Sequence, residues 1–525
     1  MGSVSLSPVL RTLLALCLCL SASSPPDAAA VARLESEVLR LRTMRFVLED
    51  KRIDPLLERI ADARLEVELD PKLVKRAALP LLDLVGAYLT AQDTPGRTTA
   101  EERIVDAALE ALRPKLTSEV AKWMASEVLA VQSVPIERRR AVARLFRDRP
   151  APVAKLALAL SARDADAELA VLSLAALAGW NDDLVHATFL EQLEALPLDA
   201  AVTNDRLVRL TQVERHFQAV RLTTGSRAAA RLAALARGHL LAADWRNASR
   251  AIAWSHALDD KDSIPFLLAA LDAWTERGAR GLQALRVRHE LTRALEARSG
   301  QDLGLEPAPW KAWWQAVSDG LRPAPTQRPE GTRAAFFGVK PDSDRIVFVL
   351  DRSGSMGAQF APGSARRWDE ATKQLYAFLA ASPEALRYNV VVFHDFAESF
   401  REHTAGLATN NHKSLEELKL WLSIHSPGGA TLLRSGIEKG LGFELGSPRT
   451  QPAAKIECDT LILLCDGETS EGAAWVPRFL ATDAAELRLA IHGVQVGGLS
   501  DGVLEELAKG TRGGFVKVGL SSEKW

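Results

Sequence analysis

Asp351, Ser353 and Ser355 fall at alternate positions in IVFVLDRSGSM (346–356), directly after an apolar run. Thr431 follows two glycines and an alanine in SPGGATLL, and Asp466 closes a second apolar run in TLILLCDG. All five side chains offer oxygen only. Two carboxylates and three hydroxyls without His or Cys suit a hard divalent cation rather than zinc or copper. Mg²⁺, which prefers six ligands at ~2.1 Å and keeps some water, is the expected ion, with Mn²⁺ or Ca²⁺ as alternatives. Ser353, Ser355 and Thr431 are expected as direct ligands, and the acids as partners acting partly through water. Neutral hydroxyls leave such an ion electron-poor, so an open sixth position would attract a carboxylate from outside. That chemistry is binding rather than reaction.

Residues so far apart need a scaffold that delivers strand ends to one edge. From about residue 343 the text alternates: RIVFVL, YNVVVFH, TLILLC, LAIHGVQV and a short FVKV read as strands, with helix-like segments between them. Apolar runs without alternation imply strands covered on both faces, hence a doubly wound, mostly parallel sheet. Ligands of such sheets bind beyond the carboxyl ends of the strands, where strand order reverses. Asp351 and Asp466 are expected there, and Gly354 lets the intervening loop curl.

Residues 343–525 resemble a von Willebrand factor type A domain. DRSGS, Thr431 and Asp466 match that family's metal-ion-dependent adhesion site, D-x-S-x-S, then T, then D. IVFVLDRSGSM, YNVVVFHDFAE, GGATLL and LILLCDGETSEG stand in the family's order, with Ala430 between Gly429 and Thr431 as a departure. The resemblance implies a Rossmann-like fold, a bound Mg²⁺ or similar ion and a protein ligand presenting an acidic side chain.

The text before the proline-rich stretch 321–342 is different in kind. Residues 31–320 are Ala-, Leu- and Arg-rich, with apolar residues at helical spacing and almost no strand-like alternation. Turn signals at WNDD (180–183) and DDKDS (259–263) separate short helices, so the region resembles HEAT-type helical hairpins. Stacked hairpins present an extended surface that suits a second protein. Trp310, Trp313 and Trp314 are read as a cap on the stack or as an aromatic patch for a partner.

Residues 1–30 read as a signal peptide: Arg11 precedes TLLALCLCLSAS, then small residues. The expected address is exported: periplasm, cell surface or secreted. No later segment is apolar enough to span a membrane, and a net charge of -2 gives no general attraction to nucleic acid. Cys458 and Cys465, seven positions apart, are expected as core residues rather than a disulfide. Asn247 in NAS falls in a predicted helix, where a glycosylation signal is incidental. An enzyme is not expected. The rival readings are a metal-assisted hydrolase using His394 and Asp395, or a scaffold subunit of an envelope complex; for that histidine pair, supporting the site or capping a loop is the preferred role.

Overall fold

The computed structural model describes residues 28–44, 52–62, 71–89, 99–112, 116–195, 204–242, 244–321, 334–402, 406–447, 455–467, 469–497 and 501–519. The leader reading falls on residues almost wholly outside these, as does most of the proline-rich stretch. The chain forms two compact units that divide between Ala178 and Gly179. The proline-rich stretch is therefore a boundary of sequence character, while the compact units part earlier, within the helical text.

Every regular element described before residue 320 is helical, as the spacing of apolar residues requires. In the first unit, helices Ala28–Thr43, Pro71–Leu89, Ile136–Asp148 and Ala167–Leu177 pack each against the next, and Ile53–Asp62 packs on Thr99–Leu112. In the second unit, helices Asp183–Glu194, Arg227–Leu240, Asp260–Ala279 and Pro307–Ser318 form one row. Helices α1 (Asn204–Ala219), α2 (Trp245–Ser255) and α3 (Leu285–Ser299) form a second row. The acidic turn signals are N-caps: Asp182 accepts from Val185 N–H at 3.1 Å and Asp259 from Asp262 N–H at 2.8 Å. Trp310 is fully buried with its indole N–H on Gly304 O at 2.7 Å, so it closes the row, while Trp313 and Trp314 stay half-buried. Asn247 is buried inside α2. Among the described residues no helix is long and apolar enough to cross a membrane.

The rest of the second unit is a seven-stranded sheet in the order β3-β2-β1-β5-β6-β7, with β4 beside β2. Strands β1 (Arg345–Asp351), β2 (Arg387–Phe393), β5 (Thr460–Cys465), β6 (Ala490–Val496) and β7 (Phe515–Val518) are parallel. Two short strands that the sequence reading did not separate, β3 (Ala397–Ser399) and β4 (Ala408–Thr409), add an antiparallel edge. Alternate β1 residues feed opposite layers. Ile346, Phe348 and Leu350 meet helices α4 (Arg367–Ala381) and α5 (His412–Ser423), whereas Val347 and Val349 meet α6 (Leu433–Leu441) and α7 (Val503–Gly510). Gly436 lets α6 lie close on the sheet, since a Cβ there would stand 2.8 Å from Val349. The chain runs from β1 outward to β2 and returns to β5 on the other side of β1, so strand order reverses between β1 and β5. The fold is a helical array followed by a doubly wound α/β domain.

Candidate functional site

The reversal point carries the two acids together. Leu350 pairs with Leu464, so Asp351 and Asp466 leave neighbouring strands at the same edge. Asp351 is fully buried and accepts from Ser353 N–H at 2.7 Å through one oxygen. Its other oxygen takes the Cys465 thiol at 3.2 Å and Asp466 N–H at 3.4 Å. The Ser353 and Ser355 hydroxyl oxygens lie 3.0 Å apart, and Ser355 donates to Asp466 Oδ1 at 2.6 Å. Four of the five expected residues thus form one continuous polar chain.

Thr431 arrives on a separate loop that is clamped to the first. Gly354 N–H donates to Gly429 O at 3.1 Å and Gly428 N–H to Arg352 O at 2.8 Å. Thr431 is nearly buried, and its backbone is tied to Ser470 on both sides: Ser470 N–H donates to Thr431 O at 2.9 Å, and Thr431 N–H to Ser470 Oγ at 3.3 Å. Gly429 adopts φ +81°, and a Cβ there would stand 2.4 Å from Asp395 and 2.5 Å from His394, so only glycine fits. Asp395 accepts from Ala430 N–H at 2.9 Å. The alanine between Gly429 and Thr431 is therefore the anchored residue of the loop. His394 accepts from Arg352 at 2.5 Å through Nε2 and meets Asp395 at 3.3 Å through Nδ1. This pair holds the loop.

Charge at the site is unbalanced. Burial first, and the nearby Asp466 carboxylate against the opposing Ser353 N–H, push Asp351 up to about 6. The Cys465 thiol is driven well above its ordinary value by burial and by Asp351, so it is a neutral donor here. Cys458 is also buried and unpaired in disulfide, its thiol raised to about 12 by burial. The Ala430 N–H first, and His394 second, hold the exposed Asp395 below the usual carboxylate range.

Two neighbours of the site were not singled out from sequence. Arg367, the first residue of α4, reaches Asp466 Oδ2 at 2.7 Å, while its Nε is buried without a hydrogen bond. A signal existed: a cation at a helix N-terminus opposes the helix dipole and calls for a local anion. Arg366 finds Asp369 in its own helix and Arg367 finds Asp466. Cys465 was read as core, and nothing in the spacing marked its thiol as a donor to Asp351. Among the described residues no group of three or more His, Cys, Asp or Glu could hold a metal, so any ion here would rely on the hydroxyls.

Topology and loops define a doubly wound α/β domain with an oxygen-rich rim at its reversal point. No family model matches the sequence, and no curated protein matches it. Among solved structures the chain is similar to a von Willebrand factor type A protein from Catenulispora acidiphila, at 16% identity and a TM-score of 0.27. That match covers 33% of this chain and 38% of the other, so the chain spans well under half of that protein's length.

Proposed function

We propose that this chain is an exported binding protein whose α/β domain, of von Willebrand factor type A kind, engages an acidic side chain of a partner through a Mg²⁺-type ion. Asp351, Ser353, Ser355, Thr431 and Asp466 would hold the ion, with Mn²⁺ or Ca²⁺ as substitutes. When bound, it supplies a Lewis-acidic position for an external carboxylate. One observation carries the reading. Neighbouring ligands of an octahedral ion at ~2.1 Å lie ~3.0 Å apart, and the Ser353 and Ser355 oxygens are 3.0 Å apart with Asp466 next in line at 2.6 Å. Ser355 is exposed while Asp351 and Asp466 are buried, so the set opens outward from its acids.

Binding is favoured over turnover because His394, the base a hydrolase would use, has its ring nitrogens engaged by Arg352 and Asp395. Two rows of helices in the second unit support HEAT-like stacking and a surface for a second protein. Export rests on the leader-like residues 1–30.

Calorimetric titration of Mg²⁺ into the intact chain tests the centre. Asp351→Ala should weaken the ion by about 100-fold or more, because ligand charge sets such affinities over decades. The sheet should stay folded, since the site lies at its rim. Equal affinity in the variant, with circular dichroism unchanged, would sink the proposal. Partner capture lost on adding EDTA separates binding from an ion-dependent turnover.

A further inference from the structure

A second concavity lies in the same unit, lined by α1, α2 and α3 on one wall and by the amino-end loops of β6 and β7 on the other. Its volume is about 870 Å³, and six cationic side chains line it against three carboxylates. Each carboxylate is already held: Glu214 by Arg488 and Glu290 by Arg286 at 2.7 Å, and Asp342 by Arg293. Arg215 has only a 3.5 Å contact with Gln212, and no side-chain hydrogen bond holds Arg512 or the half-buried His256 among the described residues. Burial first, then the fields of Arg298, Arg221 and Arg512, hold His256 below its ordinary value.

Two helix ends and a tight turn open onto the same place. The three non-glycine residues with positive φ among those described are Phe337 (49°), Arg488 (53°) and Arg512 (61°). Arg488 and Arg512 line the concavity, and Phe337 precedes Gly338, which does so too. At Arg488 and Arg512 the left-handed backbone closes a helix end, which places each arginine side chain where the chain turns away from its helix. Arg512 is the left-handed residue just past the end of α7: its N–H donates to Lys509 O at 3.3 Å and Gly513 N–H to Ala508 O at 2.8 Å, so its backbone, not its guanidinium, closes the helix. Its loop offers no free amide either, since Gly514 N–H donates to His492 Nδ1 at 2.9 Å.

We infer that this concavity is a binding site for a small oxyanion ligand, a phosphoryl or polycarboxylate compound, gripped by Arg512 and Arg215 with His256 beside them. Guanidinium forks match the paired oxygens of such groups, and a cleft with an excess of one charge sign concentrates ions of the other. The inference does not rest on the metal centre, whose loops are at the opposite ends of the strands.

The test uses the full chain in EDTA, with inorganic pyrophosphate and citrate as separate calorimetric probes. One of them should bind saturably near one equivalent, and which one does assigns the ligand's chemical class. Arg512→Gly relieves the positive φ while removing the charge, and Arg215→Gln changes an exposed helical position. Each should weaken that probe by about tenfold, the worth of one charge-assisted hydrogen bond. Asp351→Ala should leave it unchanged. No saturable binding of either probe at millimolar concentration, or equal affinity in both arginine variants, would overturn the inference.

Discussion

The two edges of one sheet solve opposite electrostatic problems. At the amino edge, Arg246 and Arg250 of α2 are buried against backbone carbonyls: Arg246 donates to Ile456 O at 2.7 Å and Leu487 O at 3.3 Å, Arg250 to Glu486 O at 2.7 Å. Ion pairs Arg488–Glu214 and Arg286–Glu290 flank them, so these four cations are matched by acceptors. At the carboxyl edge stand two buried carboxylates, Asp351 and Asp466, and the Arg367 guanidinium reaches Asp466 while Asp351 is met by Ser353 N–H, Asp466 N–H and the Cys465 thiol. A buried charge without a counter-charge is costly and shifts toward its neutral form. The α2 seam of the amino edge is therefore fixed structure, and the carboxyl edge is where the proposed cation would lower the free energy.

The sharpest way to break this contrast is to disturb the satisfied edge. Arg246→Ala strips donors from two carbonyls and leaves a void beneath α2, which should cost about 3 kcal/mol of unfolding free energy. Urea denaturation measures it, and Mg²⁺ affinity should not change. A loss within error of zero would mean that the amino edge is held by apolar packing alone.

At the other edge the expected effect is smaller and of opposite sign for the ion. Arg367→Gln removes a positive charge that competes for Asp466, so Mg²⁺ should bind several-fold tighter, up to about tenfold at the effective dielectric of a partly buried site. Without the ion the same variant should be less stable than the parent, because Asp351 and Asp466 then face each other unscreened. Titration calorimetry with thermal unfolding in EDTA reads both. Weaker ion binding in Arg367→Gln would show that the guanidinium orders the site rather than competing with the cation.

Much of this was legible in the sequence, for identifiable reasons. Strands covered on both faces leave continuous apolar runs, so β1 and β5 and the acids closing them could be read off directly. The reversal of strand order, which makes Asp351 and Asp466 neighbours, follows from the doubly wound class. The antiparallel strands β3 and β4 are only three and two residues long, too short for any period to register. Arg367 looked like the polar face of an amphipathic helix, because its partner lies 99 residues away in sequence. The amino-edge contacts were hidden more deeply. Arg246 and Arg250 stand in a helical text full of arginines, and backbone carbonyls carry no sequence signature.

A last variant asks whether the amino edge is satisfied throughout. Asp344, just before β1, is an exception: its Oδ1 is buried without a hydrogen bond, although Arg345 lies 3.4 Å away. Burial, offset in part by Arg345 and reinforced by Asp459, raises its carboxyl to about 6, above the ordinary carboxylate range. Because the folded value is the higher one, the unfolded chain ionises first as pH rises, and stability is lost between about pH 4 and pH 6. Asp344→Asn keeps the shape and abolishes that charge. It should stabilise the protein by about 1 kcal/mol above pH 6 and by nothing near pH 4. Unfolding free energies across that range decide the matter: a gain that persists unchanged at pH 4 would come from packing, and a loss at neutral pH would mean that the Arg345 contact outweighs the cost of burying the charge.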